Sequence, residues 1–188
     1  MRKSRFEIAA ALLLVGLSQA QAQNARADRQ AMIATLLDAL KSAPSEEAAG
    51  PIELRITHLW VEGASPSARL LIGRGVRDLG AGAYDDAVED FSDAIALDPG
   101  LAEAWHQRAV ARWRGGDTQG AIRDIEEALK REPRQFAALQ TLADISEARK
   151  DWRGAYAAWQ KLLEIDPKTP GGAERLKDLR RRALGDQT

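Results

Sequence analysis

Residues 102–135 read AEAWHQRAVARWRGGDTQGAIRDIEEALKREPRQ, and this stretch decides the fold. Its apolar residues recur at helical spacing in two runs, which are separated by Gly115-Gly116-Asp117. A second break follows at Glu132-Pro133, because proline cannot continue a helix. The stretch therefore predicts two helices joined by a tight turn, with the second helix packed back on the first.

An acidic residue followed by proline also occurs 34 residues before and 34 residues after Glu132-Pro133, at Asp98-Pro99 and at Asp166-Pro167. Small residues in both helices and a large apolar residue in the second helix share this spacing. These rows are Gly75, Ala109 and Ala143; Ala87, Ala121 and Ala155; and Phe91, Ile125 and Trp159. The sequence thus contains three ungapped copies of a two-helix unit, at residues 67–101, 102–135 and 136–169, within a repeat region at residues 65–169.

The first 22 residues, 1–22, have the composition of a secretory signal peptide. Their start is basic, the run Ile8–Leu17 is apolar, and Ala20-Gln21-Ala22 has the small-x-small pattern of a cleavage site. The apolar run is short for a membrane span. We therefore expect cleavage near Ala22 and a mature chain that begins near Gln23 and has no integral membrane span. A retained membrane anchor is the alternative.

The composition of the chain limits the classes of function. The 188 residues are 45% apolar and 29% charged and include no cysteine, which indicates a folded chain without disulfides. Removal of the leader's three basic residues and one acidic residue changes the formal net charge from −1 to −3. A slightly acidic chain without a broad basic face is a poor nucleic-acid binder, so we expect no nucleic-acid partner.

Residues 23–64 lack the acidic residue–proline pair that ends each repeat. Their pattern predicts a helical hairpin. The stretch Asn24–Lys41 is amphipathic and is stopped at Pro44. The second helix ends at Gly63 and contains Pro51, so it either starts again there or is kinked. We expect this hairpin to cover the open N-terminal end of the repeats.

Residues 170–188 contain a last helix, Ala173–Leu184, with leucines on one side and charges on the other. Its leucines are Leu176, Leu179 and Leu184. Stacked repeats need a terminal helix with a polar outer side to close their exposed core. The segment therefore predicts a capping helix and tail.

The 34-residue period, the rows of small residues and the prolines resemble the tetratricopeptide repeat. Trp105 stands at the signature aromatic position of that repeat, which holds Leu71 and Leu139 in the other copies. The whole arrangement is similar to uncharacterised exported tetratricopeptide repeat proteins of Gram-negative bacteria. The resemblance implies an all-α, right-handed α-solenoid in the periplasm. It also implies a non-catalytic protein–protein interaction module that binds a peptide segment of a partner in a concave groove.

The resemblance places the groove on the first helix of each repeat. The partner-binding residues expected there are Arg69, Ile72, Val76, His106, Val110, Trp113, Gln140 and Asp144. The row is apolar at its N-terminal end and acidic at its C-terminal end, and Trp113 is the expected anchor. Alternatively, Ile72, Val76 and Leu79 are buried by the preceding hairpin. In chaperone-binding members of the family, side chains of the groove bind a terminal carboxylate. The corresponding positions of this chain hold Ile72, Val76, Gln107, Ala137 and Thr141, so this carboxylate-binding site is missing.

Arginine and aspartate occur together in two repeats and are absent together in the third. Arg74 and Arg108 stand in the first helices, and Asp90 and Asp124 occupy the matching row of the second helices. A half-buried guanidinium needs a carboxylate partner, which predicts structural ion pairs Arg74–Asp90 and Arg108–Asp124. Ligand binding by these arginines is the second interpretation.

The sequence contains no recognisable catalytic or metal-binding motif. Its histidines, His58 and His106, lie on different helices and lack the spacing of a zinc site. We therefore expect no catalytic residues, no metal and no cofactor, and a protein or peptide as the partner. A structural subunit of a cell-envelope assembly, binding by convex or terminal surfaces, is the alternative function, and an enzyme acting on cell-wall material is a weaker one.

Overall fold

The structure is a computed structural model that describes the backbone of residues 3–185 and the side chains of residues 21–185. Within these ranges the chain forms nine α-helices and no β-strand. The helices are α1 (Lys3–Lys41), α2 (Glu46–Glu62), α3 (Pro66–Ala81), α4 (Tyr84–Leu97), α5 (Ala102–Arg114), α6 (Thr118–Arg131), α7 (Phe136–Ala148), α8 (Trp152–Ile165) and α9 (Gly172–Leu184). The predicted all-α solenoid is confirmed.

The three repeats are the helix pairs α3–α4, α5–α6 and α7–α8, each joined by a tight turn. Each turn contains one residue with a left-handed backbone, at Gly82 (φ 80°), Gly116 (φ 95°) and Lys150 (φ 60°). These residues are 34 positions apart. A left-handed residue after the last helical turn ends the helix and reverses the chain, and glycine adopts this conformation without strain. The repeat period therefore fixes the turns as well as the helices.

Each repeat packs on the preceding one through three positions of its first helix, which we call the leading face. The leading face consists of Leu70, Arg74 and Arg77 in the first repeat, Ala104, Arg108 and Ala111 in the second, and Ala138, Leu142 and Ile145 in the third. All three alanines and the isoleucine are fully buried, because α4 covers α5 and α6 covers α7. Leu70, by contrast, is 72% exposed. The leading face of the first repeat is open.

The N-terminal hairpin, α1 and α2, does not cover this open face. Its buried residues belong to a cluster with the third repeat and α9, which we call the hairpin cluster. The large members of this cluster are Ile33, Leu37, Leu40, Ile56, Leu59, Trp60, Phe136, Leu139, Trp159, Leu162 and Leu179. The rings of Trp60 and Phe136 lie 5.4 Å apart between centroids. α1 also contacts α8, and α2 contacts α5.

The expectation that the hairpin covers the N-terminal end of the repeats is therefore wrong. The physical reason lies in the two surfaces. The open face offers one leucine, Leu70, followed by two arginines, whereas the third repeat offers large apolar side chains such as Phe136 and Leu139. The apolar stripe of the hairpin removes more apolar surface from water on the third repeat.

The hairpin helices also differ in detail from the sequence prediction. α1 begins at Lys3 rather than near Asn24, and no proline interrupts the chain between these residues. The predicted leader, residues 1–22, lies largely outside the described side chains. α2 contains Pro51 without a break, and Ser45 caps it through the Ala48 N–H. Along the described part of the chain, no helix is both long and apolar enough to span a bilayer.

The C-terminal helix α9 packs as the first helix of an incomplete fourth repeat. Gly172, Leu176 and Leu179 follow the leading face of the third repeat by 34 residues each. Gly172 and Leu179 are buried against α8, and the Trp159 indole donates a hydrogen bond to the Gly172 carbonyl at 2.9 Å. The cap thus closes the stack by continuing its own packing rule.

Leu179→Ala should lower the free energy of unfolding by about 3 kcal/mol, because this leucine is fully buried in the hairpin cluster. Leu184→Ala, on the same helix, should cost about 0.5 kcal/mol or less, since the Leu184 side chain is 49% exposed. Urea unfolding followed by circular dichroism measures both values. Equal losses would contradict the docking of α9 through Leu179.

Candidate functional site

The first helices of the repeats, α3, α5 and α7, lie side by side and form the concave face. α3 contacts α5, and α5 contacts α7. The packing of the leading faces leaves a second row of side chains on these helices directed away from the stack. This row contains the residues predicted to bind a partner, and the structure divides them into an open group and a closed group.

The open group is an apolar patch formed by Val76, Val110 and Trp113, which we call the groove patch. Val76 is 45% exposed in the second half of α3. Val110 is half-buried and packs against the cluster of the first repeat, whereas Trp113 is half-buried and packs against that of the second. Because Trp113 is only half-buried, part of its indole remains available to a partner.

Arg69 and Ile72 are on the predicted row but do not belong to the groove patch. The Arg69 guanidinium donates hydrogen bonds to the carbonyls of Glu62 and Ala64, at 3.2 and 3.1 Å. It therefore holds the turn between α2 and α3. Ile72 is buried in the cluster of the first repeat, which also contains Ala104 of α5. Residues of the repeat helices form most of this cluster, and Val61 of α2 packs against it as well.

His106 lies in a buried polar cluster between α5 and α7. Its Nε2 is 3.1 Å from Thr141 Oγ1 on α7. Glu103, also buried, accepts hydrogen bonds from the amides of Gln107 and Gln135, both at 2.7 Å. The side chains link consecutive repeats. His106 therefore contributes to the stacking of the repeats and is closed to a partner.

The ionisation of Glu103 reflects these contacts. Burial raises the pKa of the Glu103 carboxyl, but the neighbouring His106 ring, whose Nδ1 is 3.8 Å from Glu103, and the hydrogen bonds from Gln107 and Gln135 outweigh burial and leave the pKa lowered. Two buried atoms of the cluster, His106 Nδ1 and Gln135 Oε1, have no hydrogen-bond partner. The spacing of the sequence did not indicate this cluster, since Gln135 precedes α7 and meets Glu103 only after the repeats stack.

The acidic end of the predicted row is occupied by the cap. Asp144 is half-buried and accepts a hydrogen bond from Arg175 of α9 at 2.5 Å, and the same guanidinium binds Glu147. Arg175 also stacks over the Trp159 ring at 4.0 Å. Burial lowers the pKa of Arg175, but the hydrogen bonds to the two carboxylates raise it by more. Gln140 alone remains fully exposed at this end.

The structure brings together both arginine–aspartate pairs. Arg108 donates from Nε and Nη2 to the two Asp124 oxygens, at 2.9 and 2.8 Å, and from Nη1 to Ser92 of the preceding repeat at 3.0 Å. Arg112 adds a further bond to Asp124 at 2.8 Å. The Arg108 side chain is only 12% exposed, so the pair is buried between two repeats.

The first-repeat pair has the same partners but lies at the open end. Arg74 Nε donates to Asp90 at 2.6 Å, and a second bond completes the bidentate contact. These hydrogen bonds, which Arg74 donates and Asp90 accepts, lower the pKa of Asp90 and raise that of Arg74. The Arg74 side chain is 56% exposed, because no repeat precedes it. Neither arginine is directed into the groove patch as a ligand-binding group.

Among the residues with described side chains, no group of three or more histidine, aspartate or glutamate residues could hold a metal ion. Stacked helix pairs with a fixed period, a capped C-terminal end and a half-exposed concave patch define the class of helical-repeat solenoids. The particular family follows from sequence comparison. The family model described as "Tetratricopeptide repeat" matches residues 102–135. Residues 102–135 are therefore a tetratricopeptide repeat, and the helix pairs on either side share its 34-residue period and its two-helix fold.

Known proteins similar to this chain share its repeats. A TPR repeat-containing protein of Rhizobium etli is 27% identical over 166 residues, which cover 88% of this chain and 81% of that protein. The first TPR of Spaghetti (RPAP3), bound to the HSP90 peptide SRMEEVD, superimposes with a TM-score of 0.60 and 21% identity, covering 65% of this chain and 96% of that one. The TPR2B domain of yeast Sti1, in a complex with pHsp70, has a TM-score of 0.56 and 21% identity, with 63% and 97% coverage. These structures share the fold of the repeats.

Asp124→Ala should lower the free energy of unfolding by about 3 kcal/mol, because it leaves the buried Arg108 guanidinium without its carboxylate. The matched variant Asp90→Ala should cost less, since Arg74 is already half in water. Thermal or urea unfolding of both variants gives the comparison. A loss at Asp124 no larger than that at Asp90 would show that burial does not govern the strength of these pairs.

Proposed function

We propose that this protein is a non-catalytic protein–protein interaction module of the periplasm, which binds a segment of a partner protein on its concave face. The observation that carries the proposal is the groove patch, in which Val76, Val110 and Trp113 remain half-exposed on adjacent helices of a rigid stack. A preformed apolar groove suits an amphipathic or extended segment, because the protein loses little conformational entropy on binding.

The structural neighbours support peptide binding by this fold. The RPAP3 domain is bound to an HSP90 peptide, and the TPR2B domain of Sti1 is in a complex with pHsp70. In this chain the slots that would clamp a terminal carboxylate hold Ile72, Val76, Gln107, Ala137 and Thr141. We therefore propose a partner segment whose apolar side chains contact the groove patch, rather than a charged terminus.

The environment of the carboxylates supports a non-catalytic role. Among the described side chains, the buried acids are Asp90, Glu103, Asp124 and Asp166. The first three hold helices together, and Asp166 accepts hydrogen bonds from the Lys168 backbone and the Thr169 hydroxyl. Each of these carboxylates has a structural partner. None of them is therefore a candidate for a catalytic acid–base pair.

A terminal surface is the second candidate, and the open leading face favours it. Leu70 is 72% exposed there, whereas Ala104 and Ala138, the equivalent residues of later repeats, are fully buried. α9 is a weaker candidate, because Leu179 is buried and only Leu184 of its leucines is exposed. A structural subunit of an envelope assembly would use the first-repeat face.

Val76→Asp and Leu70→Asp separate these two functions. Both residues are exposed on α3, and six positions place them on different sides of the helix. If the groove binds the partner, Val76→Asp should weaken binding about tenfold or more, through loss of apolar contact and burial of a charge, while Leu70→Asp leaves it unchanged. The reverse pattern would support the terminal surface and contradict the groove.

The partner needed for this measurement can be captured from the groove patch itself. A photo-crosslinking amino acid at Trp113, expressed in living cells, should form adducts that mass spectrometry identifies. The same amino acid at Ala157, an exposed residue of α8, is the control. A partner captured at Trp113 and absent at Ala157 then enters the titration with the two α3 variants. Equal capture at both positions would contradict a groove-specific partner.

The proposed location makes a separate prediction about the N-terminus. The leader pattern of residues 1–22 predicts cleavage after Ala22 and a mature protein that begins at Gln23. Intact mass measurement of protein from a periplasmic fraction should give the mass of residues 23–188. The mass of the full chain, recovered with the membranes, would instead indicate a retained anchor.

A further inference from the structure

A cleft of about 480 Å³ lies between the N-terminal hairpin and the turns that join the repeats; we call it the hairpin cleft. α1 and α2 form one wall, and the turns after α4 and α6 form the other. Its apolar lining comes from Ile33, Leu59, Trp60 and Leu101. The volume lies in the range of about 300–1,000 Å³ that is usual for small-ligand pockets.

Two arginines at the hairpin cleft have no charged partner among the described side chains. Arg26 and Arg29, one turn apart on α1, form neither a hydrogen bond nor an ion pair there. Arg131, the third arginine of the cleft, is already bound to Glu127 at 2.7 Å and to the Pro99 carbonyl at 2.5 Å. The cleft therefore presents two guanidinium groups that have no carboxylate partner among the described side chains, with Arg26 exposed and Arg29 half-buried, beside an apolar surface. This arrangement favours an anionic ligand.

Trp60 belongs to the same lining and places an indole N–H beside the cleft. The residue is 8% exposed, and its buried Nε1–H has no acceptor among the described residues. A buried donor without an acceptor is costly, because folding removed its hydrogen bond to water. By contrast, the indoles of Trp105 and Trp159 donate to backbone carbonyls.

The polar side chains that line the hairpin cleft indicate which chemical group stands next to the anionic group of the ligand. Asp98 accepts the Ser65 N–H at 2.7 Å through one oxygen, and Glu132 accepts the Arg134 N–H at 3.1 Å through one oxygen. Each carboxylate keeps a second oxygen that can accept an amide N–H. A ligand with only an alkyl chain next to its anionic group would bind neither oxygen. A ligand with an amide there would donate a hydrogen bond from its N–H to one of them.

We propose that the hairpin cleft binds the carboxylate of an N-acylated apolar amino acid, as a free ligand or as the last residue of a peptide. Arg26 and Arg29 bind the carboxylate, Asp98 or Glu132 accepts the amide N–H, and the apolar side chain lies against Leu59 and Leu101. The site is separate from the groove patch. Its ligand can therefore bind whether or not a partner occupies the concave face.

N-Acetyl-L-leucine, added to the purified protein labelled with ¹⁵N, is the direct probe. The Trp60 indole N–H resonance, assigned through Trp60→Phe, should shift in a saturable way. N-Acetyl-leucine amide lacks the negative charge and should not saturate. Hexanoate lacks the amide and should bind more weakly. An N-acetylated tripeptide ending in leucine tests the peptide source: binding at least as tight as N-acetyl-leucine assigns the peptide terminus, and weaker binding assigns the free ligand.

Arg29→Gln should weaken N-acetyl-leucine binding about tenfold or more, because a charge-assisted bond is lost. Gly63→Ala provides a second variant that leaves the arginine in place. Its added methyl would lie 2.9 Å from Arg29 Nη1 and displace the guanidinium, while the Gly63 backbone (φ −70°) accepts alanine without strain. Arg77→Gln, an exposed arginine of α3 outside the cleft, is the matched control and should bind like the parent protein.

Three results would overturn the proposal. The first is no saturable shift with N-acetyl-leucine. The second is equal binding of its amide or of hexanoate, which would remove the role of the carboxylate or of the amide N–H. The third is unchanged binding in both Arg29→Gln and Gly63→Ala, with unfolding curves that match the parent protein. The variants of the groove patch do not enter this test, so failure here leaves the proposed function unaffected.

Discussion

The close approach of helices at small residues is the constraint on which the rest of the structure depends. In the first repeat, α3 and α4 meet at Gly75, where a methyl group would lie 2.8 Å from the Phe91 ring. Ala109 and Ala143 occupy the same position in the next two repeats and are fully buried. Small side chains of the leading face likewise allow the helices of consecutive repeats to approach each other closely. Because these contacts fix the distance and angle between helices, they also fix the spacing of α3, α5 and α7, and hence the shape of the concave face.

The concave face is accordingly what remains after the stacking contacts are made. The polar cluster around Glu103 and His106 uses the middle of the face to hold α5 to α7, and Arg175 uses the acidic end to hold the cap. What stays half-exposed is apolar. A partner would therefore gain affinity by removing apolar surface from water, while the buried polar bonds keep that surface rigid.

The N-terminal hairpin gives this solenoid a second surface. By packing on the third repeat it leaves the first-repeat face open and forms the hairpin cleft along the inter-repeat turns. Its docking is not optimal everywhere. Burial raises the pKa of Glu53 on α2, and the nearby Asp166 carboxylate raises it further. Two acids that face each other across the interface oppose the hydrophobic attraction that holds the hairpin in place.

The sequence alone determined the repeats, their turns and both arginine–aspartate pairs, because each depends on residues within one 34-residue period. Contacts within a repeat are local, and identical spacing reproduces them. Tertiary structure decided where the hairpin packs, that His106 and Ile72 are closed to a partner, and that Arg175 binds Asp144. Those outcomes depend on competition between distant surfaces for burial, and no short-range pattern records which surface a helix will meet. Val76, Val110 and Trp113 could be found from the sequence because the period had assigned the neighbouring positions of α3 and α5 to contacts within and between repeats.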